Sequence, residues 1–215
     1  KEAMKSEIAT VIFDCGQVIT HRQNKDIARA MADLLGIPWE DFPRAYVSVR
    51  GEYDRGSLDA LTYWGMVAAP YGKPVDRELA GQLAVLDMDS WFSINIEVVD
   101  TIIRLKNEGY RLLMLSNMNW EGKERMFGPA RIAQDRDWIA AFDEILLSCD
   151  LGLIKPEPEI YRICLEKARA EPERCLFIDD MPGNIAAAQA AGMRTILFRE
   201  GMPLGTMLAE RYGLF

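Results

Sequence analysis

The chain has 215 residues, 49% of them hydrophobic and 27% charged, with a mean hydropathy of −0.08. That composition belongs to a globular protein long enough to bury a real core, and it excludes disordered, collagen-like and small disulfide-stapled chains. Thirty-three acidic residues against 25 basic ones give a formal net charge of −8, without the basic stripe that contacts to a phosphate backbone need, so nucleic acid is not an expected partner.

The first element is a strand over Ile8 to Phe13 with Asp14 straight after it. This is the longest strongly apolar run near the start, far short of a signal peptide or a membrane span, so no membrane partner and a cytoplasmic location are expected. Cys15, Cys149, Cys164 and Cys175 form no CxxC pair and read as reduced thiols. The single histidine, His21, excludes a Cys/His zinc site, and its place after a strand and a turn suits a surface loop.

From Thr20 to about Asn95 the pattern is helical, with Ile27 to Leu35 closed by Gly36-Ile37-Pro38, then Leu58 to Ala69 and Leu79 to Leu86, and no convincing strand. Some 75 residues far exceed the dozen or so that a crossover helix needs. They predict an α-helical domain inserted over the carboxyl edge of a sheet. Strand and helix then alternate. Ile96, Val99 and Ile103 recur at helical spacing, and Arg111 to Leu115 reads as a strand. Trp120 to Trp138, broken at Gly128-Pro129, either rims the cleft or covers the sheet edge. Strands follow at Glu144 to Leu147, Cys175 to Ile178 and Arg194 to Leu197, separated by helices at Ile160 to Ala168 and Asn184 to Ala191, the latter ended by Gly192. Continuous apolar strands between helices predict an α/β, doubly wound, parallel five-stranded sheet. The core is expected at 1–19 and 96–215 and the cap at 20–95.

Four features fall immediately after predicted strands, where open α/β sheets bind ligands. They are Asp14 in Asp14-Cys15-Gly16-Gln17-Val18, Ser116-Asn117, Lys155 before Pro156, and Asp179-Asp180 followed by Asn184. Each alone is an ordinary turn or cap. Together, a hydroxyl, a lysine and three carboxylates point to phosphoryl chemistry with a hard divalent cation. Asp14 and Asp180 supply oxygens suited to Mg²⁺, and one oxygen of Asp14 can attack phosphorus. Ser116 and the backbone N–H groups from Asn117 onward, with Lys155, can hold the phosphate oxygens. Pro156 is expected to extend Lys155 and start the next helix. Asn184 is expected to steady the acidic loop from behind, across a Pro182-Gly183 turn.

In this order the motifs resemble the haloacid dehalogenase superfamily over nearly the whole chain, and the helical insert resembles that family's type 1 cap. Arg50 to Gly56 with Leu58 to Trp64 resembles a cap segment of its sugar-phosphate phosphatase branch. The resemblance implies a sheet in the order 5-4-1-2-3. Asp14 would be nucleophile and metal ligand, Gly16 would offer its carbonyl to Mg²⁺, Ser116 and Lys155 would hold the phosphate, and Asp180 would be the second acidic ligand with Asp179 beside it. It implies a Mg²⁺-dependent phosphatase of a small phosphorylated metabolite.

One position departs from the common phosphatase pattern. The Asp that such enzymes carry two residues after the nucleophile, as general acid and base, is here Gly16, and such assistance is worth about 10²–10⁴-fold. The alternatives are therefore a haloacid dehalogenase-type hydrolase, against which the Asp179-Asp180 pair speaks, and a catalytically weak phosphate-binding module. Within the cap, Arg50 and Arg55 read as solvated, Tyr53 and Trp64 as cap core, and Trp91 and Phe92 as hinge packing.

Overall fold

The structure, a computed structural model, describes residues 7–128 and 137–215. Among them, five strands pair in one all-parallel sheet: β1 (Thr10–Phe13), β2 (Arg111–Ser116), β3 (Glu144–Leu147), β4 (Cys175–Asp179) and β5 (Arg194–Leu197). Their spatial order is β3-β2-β1-β4-β5, the expected order read from the other edge. The helices in the stretch from β1 to β2 are α1 (Lys25–Leu35), α2 (Phe42–Val47), α3 (Arg50–Asp54), α4 (Ala60–Ala68), α5 (Arg77–Trp91) and α6 (Ile96–Asn107). Then come α7 (Trp120–Phe127), α8 (Ser148–Leu151), α9 (Pro158–Ala168), α10 (Pro182–Ala190) and α11 (Leu204–Tyr212).

The strands read as continuous apolar runs because both sheet faces are covered. Val11, Phe13, Leu112, Met114, Leu176 and Ile178 pack with residues of α6 and α11. Ile12, Leu113, Leu115 and Phe177 pack with residues of α9 and α10. Each such side chain contributes about 1.5–3 kcal/mol when fully buried. A separate apolar cluster, with Met31, Leu35, Phe42, Tyr53, Trp64 and Leu83 among its members, joins α1 to α5. Asn24, Asp59, Asp76, Asn95 and Asn119 each accept a backbone N–H in the first turn of α1, α4, α5, α6 and α7 respectively, each worth about 1 kcal/mol.

Two connectors join the helical segment to the sheet. They run side by side, with Thr20 and Ile94 in an antiparallel bridge, His21 N–H donating to the Ser93 carbonyl and Asn95 N–H to that of Ile19. The chain leaves β1 toward β2 on one side, while β4 lies on the other, so the crevice where strand order reverses sits beyond the carboxyl end of β1.

Several elements differ from expectation. Helices α2 and α3 are too short to carry a periodic signature. α5 extends to Trp91 because Asp87 and Ser90, polar letters in the sequence, point inward and are buried. In α6 the stripe against the core is Val98, Val99, Ile102 and Leu105, and Ile96 is 51% exposed; both stripes have helical spacing. Pro156 lies in a turn and α9 begins at Pro158, which takes the first helical position where a missing N–H costs nothing. Pro182-Gly183 is likewise no turn but the start of α10. Of the uncertain stretch, α7 and Trp138 are described, while the break at Pro129 lies outside the described residues. Trp138 is buried in the core cluster.

Candidate active site

Asp14 leaves β1 with its backbone N–H on the Ile178 carbonyl of β4. Its Oδ1 accepts from the Cys15 N–H at 2.7 Å and from Lys155 Nζ at 2.8 Å. Lys155 Nζ also donates to the Leu115 carbonyl at 2.9 Å and to Asp179 Oδ2 at 2.8 Å, so all three of its protons have acceptors. Asn184 Nδ2 donates to both Asp179 oxygens at 3.0 Å, and the Met181 N–H adds a bond of 2.8 Å to Oδ1. Asp179 is thus buried and filled from behind, whereas half-buried Asp180 lines the cavity. The strand end settles which of the two adjacent aspartates faces which way.

Oxygens of Asp14, Asp179 and Asp180 lie within 4.8 Å of one another. Burial pushes the Asp14 carboxyl up to about 7; Lys155 opposes the shift, and Asp179 and Asp180 add to it. Burial and then Asp179 raise Asp180 as well. Burial works against the Lys155 charge, but Asp14 and Asp179 override it and hold the ammonium above its ordinary value. A carboxylate group raised in this way is short of positive charge. Its hard oxygen donors suit a hard divalent cation, and Gly16 lines the same cavity. The nearby Cys15 thiol is pushed well up by burial and Asp14, so a thiolate plays no part here.

Residues 15–19 form one wide turn closed by Thr20 N–H on the Cys15 carbonyl. Gln17 holds a left-handed φ of 58°, its N–H donating to Thr20 Oγ1 at 3.1 Å. Gly16 has φ −62° and ψ 129°, open to any residue, and a Cβ there would meet nothing within 4 Å. Ser116, at the end of β2, is buried and lines the cavity. The Asn117 side chain is committed elsewhere: it donates to the Lys155 carbonyl at 3.0 Å and accepts from the Lys155 N–H at 2.8 Å. What Asn117 retains for an anion is its backbone N–H; its side chain positions Lys155. All eight residues singled out in the sequence therefore gather around one cavity of about 350 Å³, with Asp179 behind its wall.

The opposite wall comes from the helical segment, and here the sequence reading needs correction. Arg50 is not solvated. It pairs with Asp54 at 2.9 Å and Asp87 at 2.8 Å, donates to the Tyr46 hydroxyl, and lies over the Tyr46 ring. Tyr46 in turn donates to Asp87 and accepts from Trp91 Nε1 at 3.0 Å. Tyr46, Asp54, Asp87 and Asn119 were not singled out from sequence, although an aspartate on the apolar face of α5, between Ala84 and Met88, is a signal that a buried cation must meet it. Tyr53 and Trp64 are fully buried in the cap, as expected. Arg55 also departs from expectation: it forms a two-pronged pair with Glu157 and donates to the Gly152 carbonyl at 3.0 Å, tying the helical segment to the core. Gly56, at φ 84°, lets the chains approach so closely that a Cβ would sit 3.2 Å from Cys149. His21 pairs with Glu200 in a surface loop.

Because Asp87 has no exposed surface, Arg50→Ala should strand a buried carboxylate and cost about 3–5 kcal/mol of stability. Urea unfolding checks this; a loss under 1 kcal/mol or so would show the pair to be dispensable.

A doubly wound sheet with a carboxylate and lysine site at its carboxyl edge, facing a helical insert, places the protein among the α/β folds that bind ligands where strand order reverses. Residues 8–192 match the model of the haloacid dehalogenase-like hydrolases, and the chain belongs to that family. Bifunctional epoxide hydrolase 2 of Mus musculus is 36% identical over 108 residues, 49% of this chain and 19% of that one; the chain spans about a fifth of the length of the curated relatives it first matches. D-ribitol-5-phosphate phosphatase of Bacteroides thetaiotaomicron is 24% identical over 195 residues, 87% of this chain and 90% of the relative. A HAD-like family hydrolase from Porphyromonas gingivalis superposes with a TM-score of 0.77 at 24% identity, over 95% of this chain and 99% of that one. A HAD family enzyme from B. thetaiotaomicron, solved with magnesium and inorganic phosphate, gives 0.72 at 21%, over 90% and 96%. These structural likenesses show the fold. No helix among the described residues is long and apolar enough to cross a membrane.

Proposed function

We propose that the protein is a Mg²⁺-dependent phosphatase of a small phosphorylated metabolite, with 20–95 as cap over a core of 1–19 and 96–215. The observation that carries this reading is the convergence of Asp14, Asp179 and Asp180 oxygens within 4.8 Å, with Lys155 bound to two of them. The Asp179-Asp180 pair beside Asp14 speaks against a metal-free dehalogenase. The similarity to a polyol-phosphate phosphatase over most of both chains supports the same reading.

Asp14, Asp180 and the Gly16 carbonyl would hold Mg²⁺, which supplies charge neutralisation that lets a phosphate dianion approach three carboxylates. Asp14 attacks phosphorus and the alcohol leaves; water then releases phosphate from the Asp14 acyl phosphate. Ser116 and the backbone N–H of Asn117 donate to the equatorial oxygens, where transition-state charge collects. Lys155, expected to hold the phosphate, has its three protons taken by Asp14, Asp179 and the Leu115 carbonyl and so keeps Asp14 oriented instead, while Asn184 keeps Asp179 against Lys155. Gly16 supplies no proton to the leaving alcohol, so esters with acidic leaving groups should react faster than alkyl esters.

Phosphate release from p-nitrophenyl phosphate and a panel of sugar and polyol phosphates tests the proposal. Release should fall by about 100-fold or more on chelation and return with Mg²⁺. Bound phosphate without release at any divalent cation would favour the binding-module alternative; metal-independent halide release from haloacids would favour the dehalogenase.

A further inference from the structure

We infer that the cavity selects phosphate monoesters whose alcohol part is uncharged or cationic, and rejects those whose alcohol part carries a carboxylate or a second phosphate. This rests on the phosphatase reading for the identity of the anion at Asp14, and it adds the class of leaving group.

Among the described residues lining the cavity, the cations are Arg50 and Lys155, and both are outnumbered. Lys155 lies between Asp14 and Asp179 at 2.8 Å from each. Arg50 lies between Asp54 and Asp87 at 2.9 and 2.8 Å. Three lining carboxylates, Asp14, Asp54 and Asp180, face these two cations, while Asp87 and Asp179 are buried behind them and Arg199 lies beside Asp180. A divalent metal and a phosphate dianion would cancel each other, which leaves the lining, three carboxylates against two cations, with an excess of negative charge. An anionic group there meets Asp54 on the cavity wall at low local dielectric, with Arg50 already committed, and the repulsion is felt strongly.

The rest of that wall is apolar or aromatic. Met88, Trp91 and Phe92 line it from the helical segment and Met118 from the core. The mouth carries Val47 and Met181, 61% and 52% exposed. These surfaces reward hydrocarbon rather than a hydrated anion, and the Trp91 ring favours a cation where charge is present.

Non-hydrolysable phosphonates of matched length test this on the wild-type protein with Mg²⁺, by calorimetric titration. Aminopropylphosphonate and butylphosphonate should each bind at least about tenfold more tightly than phosphonopropionate. Asp54→Asn, which removes one of Arg50's two counter-charges, should narrow that ratio. Equal or tighter binding of phosphonopropionate by the wild type overturns the inference. Because binding is read without turnover, a protein that shows the expected ratio but releases no phosphate from any ester upholds the charge selection and sinks the hydrolytic reading alone.

Discussion

Asp14→Asn should reduce phosphate release by about 10⁴-fold or more, since removing a nucleophile leaves only the catalysis that binding and oriented donors provide. The amide can occupy the same space and accept the Cys15 N–H, but it is a far poorer nucleophile and a weaker metal ligand. Folding should survive. Burial lifts the Asp14 carboxyl to about 7 in the metal-free protein, so its folded value lies above its unfolded one and the charged form is the one that costs stability near neutral pH. Lys155 keeps Asp179 and the Leu115 carbonyl as partners. The metal-free variant should therefore melt no lower than the wild type. A melting point many degrees lower would mean that Asp14 acts chiefly as Lys155's counter-ion, and a variant that retains turnover would remove Asp14 from the chemistry.

Gly16→Asp should raise kcat for alkyl phosphates by about 10²–10³-fold while changing p-nitrophenyl phosphate much less. The backbone at Gly16, φ −62° and ψ 129°, accepts any side chain, and a Cβ there meets nothing within 4 Å. The new carboxyl would lie on the cavity wall two residues after the nucleophile. It could donate to a departing alkoxide, which needs a proton, but would do little for nitrophenolate, which does not. The contrast between the two substrates separates proton donation from a general change in affinity. Equal effects on both, or a fall in kcat for alkyl esters, would show that another group already supplies the proton.

The sheet was legible because burial on both faces forces continuous apolar runs, and the gathering of the candidate site was legible because Asp14, Ser116 and Asp179-Asp180 stand at the ends of those runs. Lys155 could be placed near them, but its bonds to both Asp14 and Asp179 could not, since they join residues on separate loops. The bonds of the Asn117 side chain to the Lys155 backbone were not legible either, since they join two separate loops. The cap wall was least legible. Arg50 sits on a helix of five residues, too short for a period to show, and its partner Asp87 is 37 positions away on another helix. A charged residue on a short helix reads as solvated unless its distant partner is known. The same reason hides the Arg55 bond to Glu157, 102 positions away.

Attack of Asp14 on phosphorus is tested by acid quenching during turnover followed by borohydride reduction. Reduction of an acyl phosphate converts the aspartate to homoserine, which peptide mass spectrometry locates. Homoserine is expected at position 14, dependent on both Mg²⁺ and substrate and absent from Asp14→Asn. Steady phosphate release with no mark at position 14, or with the mark at another carboxylate, would contradict it.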